Sequence, residues 1–216
     1  RVRTALKAFK KNTAIGSGAI SFAYMSSLED PAITALAQLI EEIINTATIP
    51  TCDLITYLNE LLKKLGGTRT VSTGPSLNRL VMRVIAPEMR QWDGEIADEF
   101  DSAVAGRNSK IATARRMLEC EVAHRLGKSV IQMLWDISAF FDSIDIEHLI
   151  KKAKEWDFPM LSLVLCLQWH RCPRTIKSGE TYSKLIAEIG RGVIAGCTSS
   201  TSPARAYCRD ISASCN

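Results

Sequence analysis

Apolar positions give the first outline of the chain. After Asp30-Pro31, residues Ile33, Leu36, Ala37, Ile40, Ile43 and Ile44 recur at helical spacing down to about Asn45. The spacing predicts a helix with an acidic cap and a proline in its first turn, its apolar face used for packing. Pro50 closes that region, and residues 1–60 read as mostly helical. A second stripe (Leu77, Leu80, Val81, Val84, Ile85) opens after Pro75-Ser76 and is expected to kink or end at Pro87. A third (Ile111, Ala114, Leu118, Val122, Leu126) is expected to be a buried helix face, capped by Ser109 and stopped by Gly127. Two more follow: Ile146, Leu149, Ile150 and Ala153 behind Asp145, then Leu161, Leu165 and Trp169 behind Phe158-Pro159.

Between the third and fourth helices the pattern changes. Val130, Ile131, Met133, Leu134 and Trp135 form a short apolar run, the length of a buried strand, that leads into Asp136. Residues 54–75 hold an apolar stretch, Lys63-Lys64, a Gly66-Gly67 turn that needs positive φ, then Arg69 and Val71. Residues 173–183 read as a short hairpin turning at Ser178-Gly179.

Composition narrows the class. With 216 residues, 46% hydrophobic and 23% charged, the chain has the make-up of a globular protein, and its net charge of +4 permits nucleic-acid binding without arguing for it. Arg1, Arg3, Lys7, Lys10 and Lys11 form a basic start, read as a solvated tail ahead of a phosphate-contacting arm. The acids at 93–102 read as a solvated face or linker. No window reaches the length of a membrane span, and no signal peptide is legible. The seven cysteines include no C-x-x-C pair, which favours a reducing, intracellular setting. Cys166, His170 and Cys172 make an incomplete zinc set, so buried thiols are the expectation. A start at Arg1 and a stop at Asn216 suggest a piece of a longer protein.

A carboxylate at the exit of an apolar strand needs a reason, since desolvating it unpaired costs several kcal/mol. Asp136 either caps a turn or binds a hard divalent cation such as Mg²⁺. Asp136-Ile137-Ser138-Ala139-Phe140-Phe141-Asp142 resembles the first palm motif of reverse transcriptases of the non-LTR retrotransposon and group II intron type. Three further stretches are similar to the same family, in its order. Lys63-Lys64, Gly66-Gly67 and Arg69 resemble the fingers hairpin, where a base lies along the incoming triphosphate. Gly106-Arg107-Asn108-Ser109 with Ala112 resembles the Gly-Arg-Ser-Thr-x-x-Ala signature. Gly192, Gly196 and Ser202-Pro203 resemble the second palm motif, with Arg191 where the family has Gln.

The resemblance implies an α+β right-hand polymerase fragment, mostly helical with a small antiparallel sheet. A helical segment (1–58) would precede fingers (59–128) and a palm (129–216) cut before the third palm motif, Tyr-x-Asp-Asp, so that the fragment would be inactive alone. It implies RNA-directed DNA polymerisation with two Mg²⁺ ions, an RNA template, a DNA primer, deoxynucleoside triphosphates and no membrane. Asp136 would be catalytic and bind metal with the carbonyl of Ile137. Arg69, Lys64, Phe141, Gly192 and Arg191 would contact the nucleotide, Phe141 as the gate against ribose, and Arg107 the template. The strand at 130–136 is expected at the centre of the sheet, with helices 109–126 and 145–156 on one face. A catalytically inactive nucleic-acid-binding or assembly module is the main rival; a hydrolase using Asp136 and Asp142 has only spacing in its favour.

Overall fold

The computed structural model describes residues 1–62, 66–98, 101–131, 137, 139–195, 197 and 199–213, without the side chains of Asp53, Arg69 and residues 211–213. The fold is α+β, about 53% helical with a small mixed sheet. Helices α1 (Val2–Lys7) and α2 (Phe22–Ser26) precede α3 (Asp30–Thr46), which buries Ile33, Ile40 and Ile43. Glu29 takes the cap position, Asp30-Pro31 form the first turn, and Ala47 ends α3 in the left-handed region at φ 50°.

Strands β1 (Thr56–Leu62) and β2 (Thr68–Thr73) form an antiparallel hairpin whose described turn glycines, Gly66 and Gly67, have φ of 88° and 78°. Helix α4 (Ser76–Ile96) does not end at Pro87. It runs on for nine residues, because Met89, Trp92 and Asp93 beyond the proline are buried and the Trp92 indole donates to the Trp156 carbonyl at 2.8 Å. Tertiary packing here outweighs one missing backbone donor.

Helix α5 (Ser109–Arg125) starts one residue after its cap, Asn108, whose side chain accepts from the Lys110 N–H. It contains no buried residue, contrary to the expected stripe: Ile111, Leu118 and Leu126 are 68%, 61% and 66% exposed. The short α6 (Phe140–Ser143) leads into α7 (Ile146–Glu155), capped by the Asp145 side chain on the His148 N–H at 2.7 Å and buried through Ile146, Leu149 and Ala153. Helix α8 (Met160–His170) is apolar on nearly all sides and lies in the core.

Strands β3 (Arg174–Ser178) and β4 (Thr181–Tyr182) form the second hairpin, and α9 (Thr201–Ala213) closes the described chain. The strand order is β2-β1-β3-β4. The sheet is mixed where an antiparallel one was expected: β3 runs parallel to β1, with Thr56 beside Arg174 and Asn59 beside Lys177. Parallel pairing follows from the long helical return between them, since a hairpin would force antiparallel strands. The buried core draws on α1, α3, α4, α7, α8, the 193–197 loop and α9. Residues 132–136, the heart of the expected central strand, lie outside the described residues; Val130 and Ile131 just before them are 50% and 88% exposed.

Candidate functional site

Two segments about fifty residues apart in sequence meet at α6. Gly192 donates its N–H to the Ile144 carbonyl and Val193 donates to the Phe141 carbonyl, both at 2.8 Å. Gly192 has φ 85°, and a Cβ there would lie 2.8 Å from the Asp142 carbonyl oxygen and 2.9 Å from its Cα. Only glycine allows that approach together with that backbone. Val193 and Ile194 are each 1% exposed, and the Ser200 hydroxyl donates to the Ile194 carbonyl at 2.6 Å, so these residues belong to the core. The Ser72 hydroxyl of β2 reaches the Ala195 carbonyl at 3.3 Å, tying the first hairpin to the same loop.

Beside this junction lies a cavity of about 440 Å³. Phe140 and Phe141 form one wall, Ala204, Arg205 and Cys208 of α9 a second, and Asp98, Asp101, Ser102 and Ala103 contribute the third. The two phenylalanine rings stand edge to face, centroids 5.2 Å apart, and both are half-buried. Core packing and cavity lining are therefore shared by Phe140 and Phe141.

The electrostatics of the cavity come from residues that sequence reasoning did not assign to a site. Arg205 pairs with Asp93 and, at 2.6 Å, with Asp101; Arg209 pairs with Asp98; and Ser202 donates to Asp93 at 2.8 Å. The Arg205 and Asp93 side chains are only 9% and 12% exposed. Burial would raise the Asp101 pKa, but the hydrogen bond and charge of Arg205, with Ala103 N–H and Arg107, bring it below the ordinary value. Asp93, Asp98 and Asp101 are thus partners for α9, where a solvated face or linker was expected, while Glu95 stays exposed. The signal in the sequence is the Arg205/Arg209 pair at i, i+4, but nothing local links it to acids a hundred positions earlier.

No family model matches this chain, and no curated protein matches it.

The expected site residues fall in several places. Phe141 and Gly192 are brought together, as described. Arg107 is exposed, its guanidinium donating to the carbonyls of Asp98, Asp101 (2.9 Å) and Ala97 (3.3 Å). Arg191 is exposed beside the buried Gly192. Arg69 stands in β2 opposite Leu61, its side chain outside the described residues, as are Lys64 and Asp136 entirely. Ile137, next to Asp136, is 55% exposed, and Asp142 is exposed in the first turn of α6. Among the described residues no three His, Cys, Asp or Glu side chains converge as a metal site.

Cys166, His170 and Cys172 are engaged separately. Cys166 Sγ lies 3.5 Å from His170 Nε2 and 3.7 Å from the Ser199 carbonyl, while Cys172 Sγ contacts Thr56 Oγ1 at 3.2 Å. Burial, then the charge of Arg174, pushes the His170 pKa down to about 3, and burial raises both thiols. These are neutral packing groups.

Proposed function

We propose that this chain carries the fingers and first palm segments of an RNA-directed DNA polymerase of the reverse-transcriptase type. One observation carries the reading. The segment resembling the second palm motif docks through Gly192 and Val193 on the turn that ends the segment resembling the first. A nucleotide site assembled from those two segments requires this kind of backbone approach. The Ser72–Ala195 contact adds the hairpin bearing Arg69 to the same neighbourhood.

In this reading Asp136 and the Ile137 carbonyl would hold Mg²⁺, and the ion would supply charge neutralisation at the triphosphate. Phe141 packs under the sugar of the incoming nucleotide, Arg69 and Lys64 meet its phosphates, and the Gly192 loop supports the base pair. Template RNA, DNA primer and deoxynucleoside triphosphates are the substrates.

A second reading is a catalytically inactive nucleic-acid-binding or assembly module; its assembly form is the one the cavity favours, since Arg205 and Arg209 are held by aspartates of the same chain. One experiment separates the two. In a chain extended through the Tyr-x-Asp-Asp segment that the resemblance implies, primer extension on an RNA template in Mg²⁺ is expected, and Asp136→Asn is expected to abolish it with template affinity retained. Absence of extension in the well-folded extended chain decides for the inactive module. Joint loss of affinity and activity in the variant makes Asp136 a structural cap.

A further inference from the structure

The sheet has one face tied to the core, while the other is buried at Thr73 and Thr175 and open at Leu61, Val71 and Tyr182. On the inner side the Trp169 indole donates to Thr56 Oγ1 at 2.9 Å, the Ser72 hydroxyl donates to Ala195, and the Arg174 guanidinium donates to the His170 carbonyl at 2.6 Å. Strand alternation sends their neighbours to the other side. There the register aligns Val71, Asn59, Lys177 and Tyr182 in one row across β2, β1, β3 and β4. Tyr57 stands one row along, between Thr73 and Thr175.

The Tyr57 and Tyr182 ring centroids are 5.5 Å apart, tilted by 56°, and the Lys177 ammonium lies 5.3 Å from the Tyr182 centroid. Tyr182 is 52% exposed, and Leu61 and Val71 are also open to solvent. Asn59 Nδ2 donates to the Val71 carbonyl at 3.1 Å and to Thr73 Oγ1 at 2.8 Å, which leaves its Oδ1 as an acceptor. Glu60 alternates away from this face, while Arg69 stands in the next row, opposite Leu61.

We propose that this outer face binds single-stranded RNA, with Tyr57 and Tyr182 as stacking surfaces for unpaired bases and Lys177 meeting a phosphate. Aromatic rings beside the Lys177 ammonium on an exposed sheet edge fit a flexible polyanion whose bases are free to stack, and a duplex keeps its bases unavailable. Asn59 Oδ1 accepts from a ribose 2′-hydroxyl, the group that distinguishes RNA. The choice of RNA over DNA rests on the template reading given above; the stacking platform does not.

The test is fluorescence anisotropy with the 216-residue chain and labelled single-stranded RNA of about ten nucleotides, without Mg²⁺, primer or nucleotide. Single-stranded DNA and duplex RNA of the same sequence are the comparison arms. Single-stranded RNA is expected to bind tightest. Tyr182→Ala should weaken it at least about fivefold, the loss of one base stack, with Tyr182→Phe within about twofold of the parent. Lys177→Ala should weaken binding and reduce its salt slope by about one. If Tyr182→Ala and Tyr57→Ala, shown folded by circular dichroism, both bind as the parent does, the platform is overturned. Equal affinity for duplex RNA overturns the single-strand assignment, and equal affinity for DNA overturns the choice of RNA. Because no polymerisation is required, failure of primer extension in the extended chain leaves this result standing.

Discussion

Gly192 carries more of the site than any charged residue described. Its φ of 85° is strained for any residue with a Cβ, and the added atom would press on the backbone of Asp142, which has no side-chain freedom to yield. Gly192→Ala is therefore expected to cost roughly 2–4 kcal/mol, the sum of backbone strain and overpacking, read by urea denaturation. Gly179, with φ 59° and open space around it, is the control: Gly179→Ala should cost about 1 kcal/mol. Equal losses at the two positions would show that the contact with Asp142 is of no consequence. The glycine itself was legible in the sequence, and so was its association with a loop. Its partner was not, because a backbone-to-backbone approach leaves no mark on the residue type of the other side.

Among elements, the coupling of α9 to the end of α4 and the turn after it decides the shape of the cavity. Arg205 bridges Asp93 and Asp101 in a largely desolvated position, so removing it strands two carboxylates. Arg205→Ala is expected to lower stability by roughly 3 kcal/mol, whereas Arg125→Ala, which breaks the exposed pair with Glu121, should cost under about 0.5 kcal/mol. The effect carries a pH signature. Asp101 is held below its ordinary value in the fold, so its stabilisation is full above the unfolded carboxylate's pKa, about 3.9, and is lost as pH falls through the folded pKa. Thermal melts of parent and variant should therefore converge as pH drops below about 4. A gap that stays constant down to acid pH would mean that Arg205 stabilises by packing alone. The helical periods of α3 and α7 were readable because each places one face against the core, and α8 was readable as an apolar stretch after Phe158-Pro159. Continuation of α4 past Pro87 was not, since the reward for it lies in Trp92 meeting Trp156.

At the scale of the whole molecule, burial is uneven. Leu149 is 0% exposed between α7 and the rest of the core, whereas Leu118 of α5 is 61% exposed. Leu149→Ala is expected to cost roughly 2–5 kcal/mol and Leu118→Ala under about 0.5 kcal/mol in chemical denaturation. Amide exchange should likewise show α5 as the helix closest to free opening and α8 among the last to exchange. A large loss at Leu118 would mean that its apolar stripe is covered in solution.

The sequence by itself determined the helices at 30–46, 146–155 and 160–170, the turn at Gly66-Gly67 and the hairpin at 173–183; the α+β class was what the resemblance implied. Those elements depend on local periodicity, capping and turn chemistry, which are written within a few residues of one another. Tertiary structure alone decided that β3 joins β1 in parallel, that Asp93, Asp98 and Asp101 serve the arginines at 205 and 209, and that a regular stripe on α5 stays open to solvent. Each of those outcomes is set by what lies opposite a residue across a hundred or so positions of chain. Periodicity reports which face of a segment is apolar; only packing determines whether another surface is there to meet it.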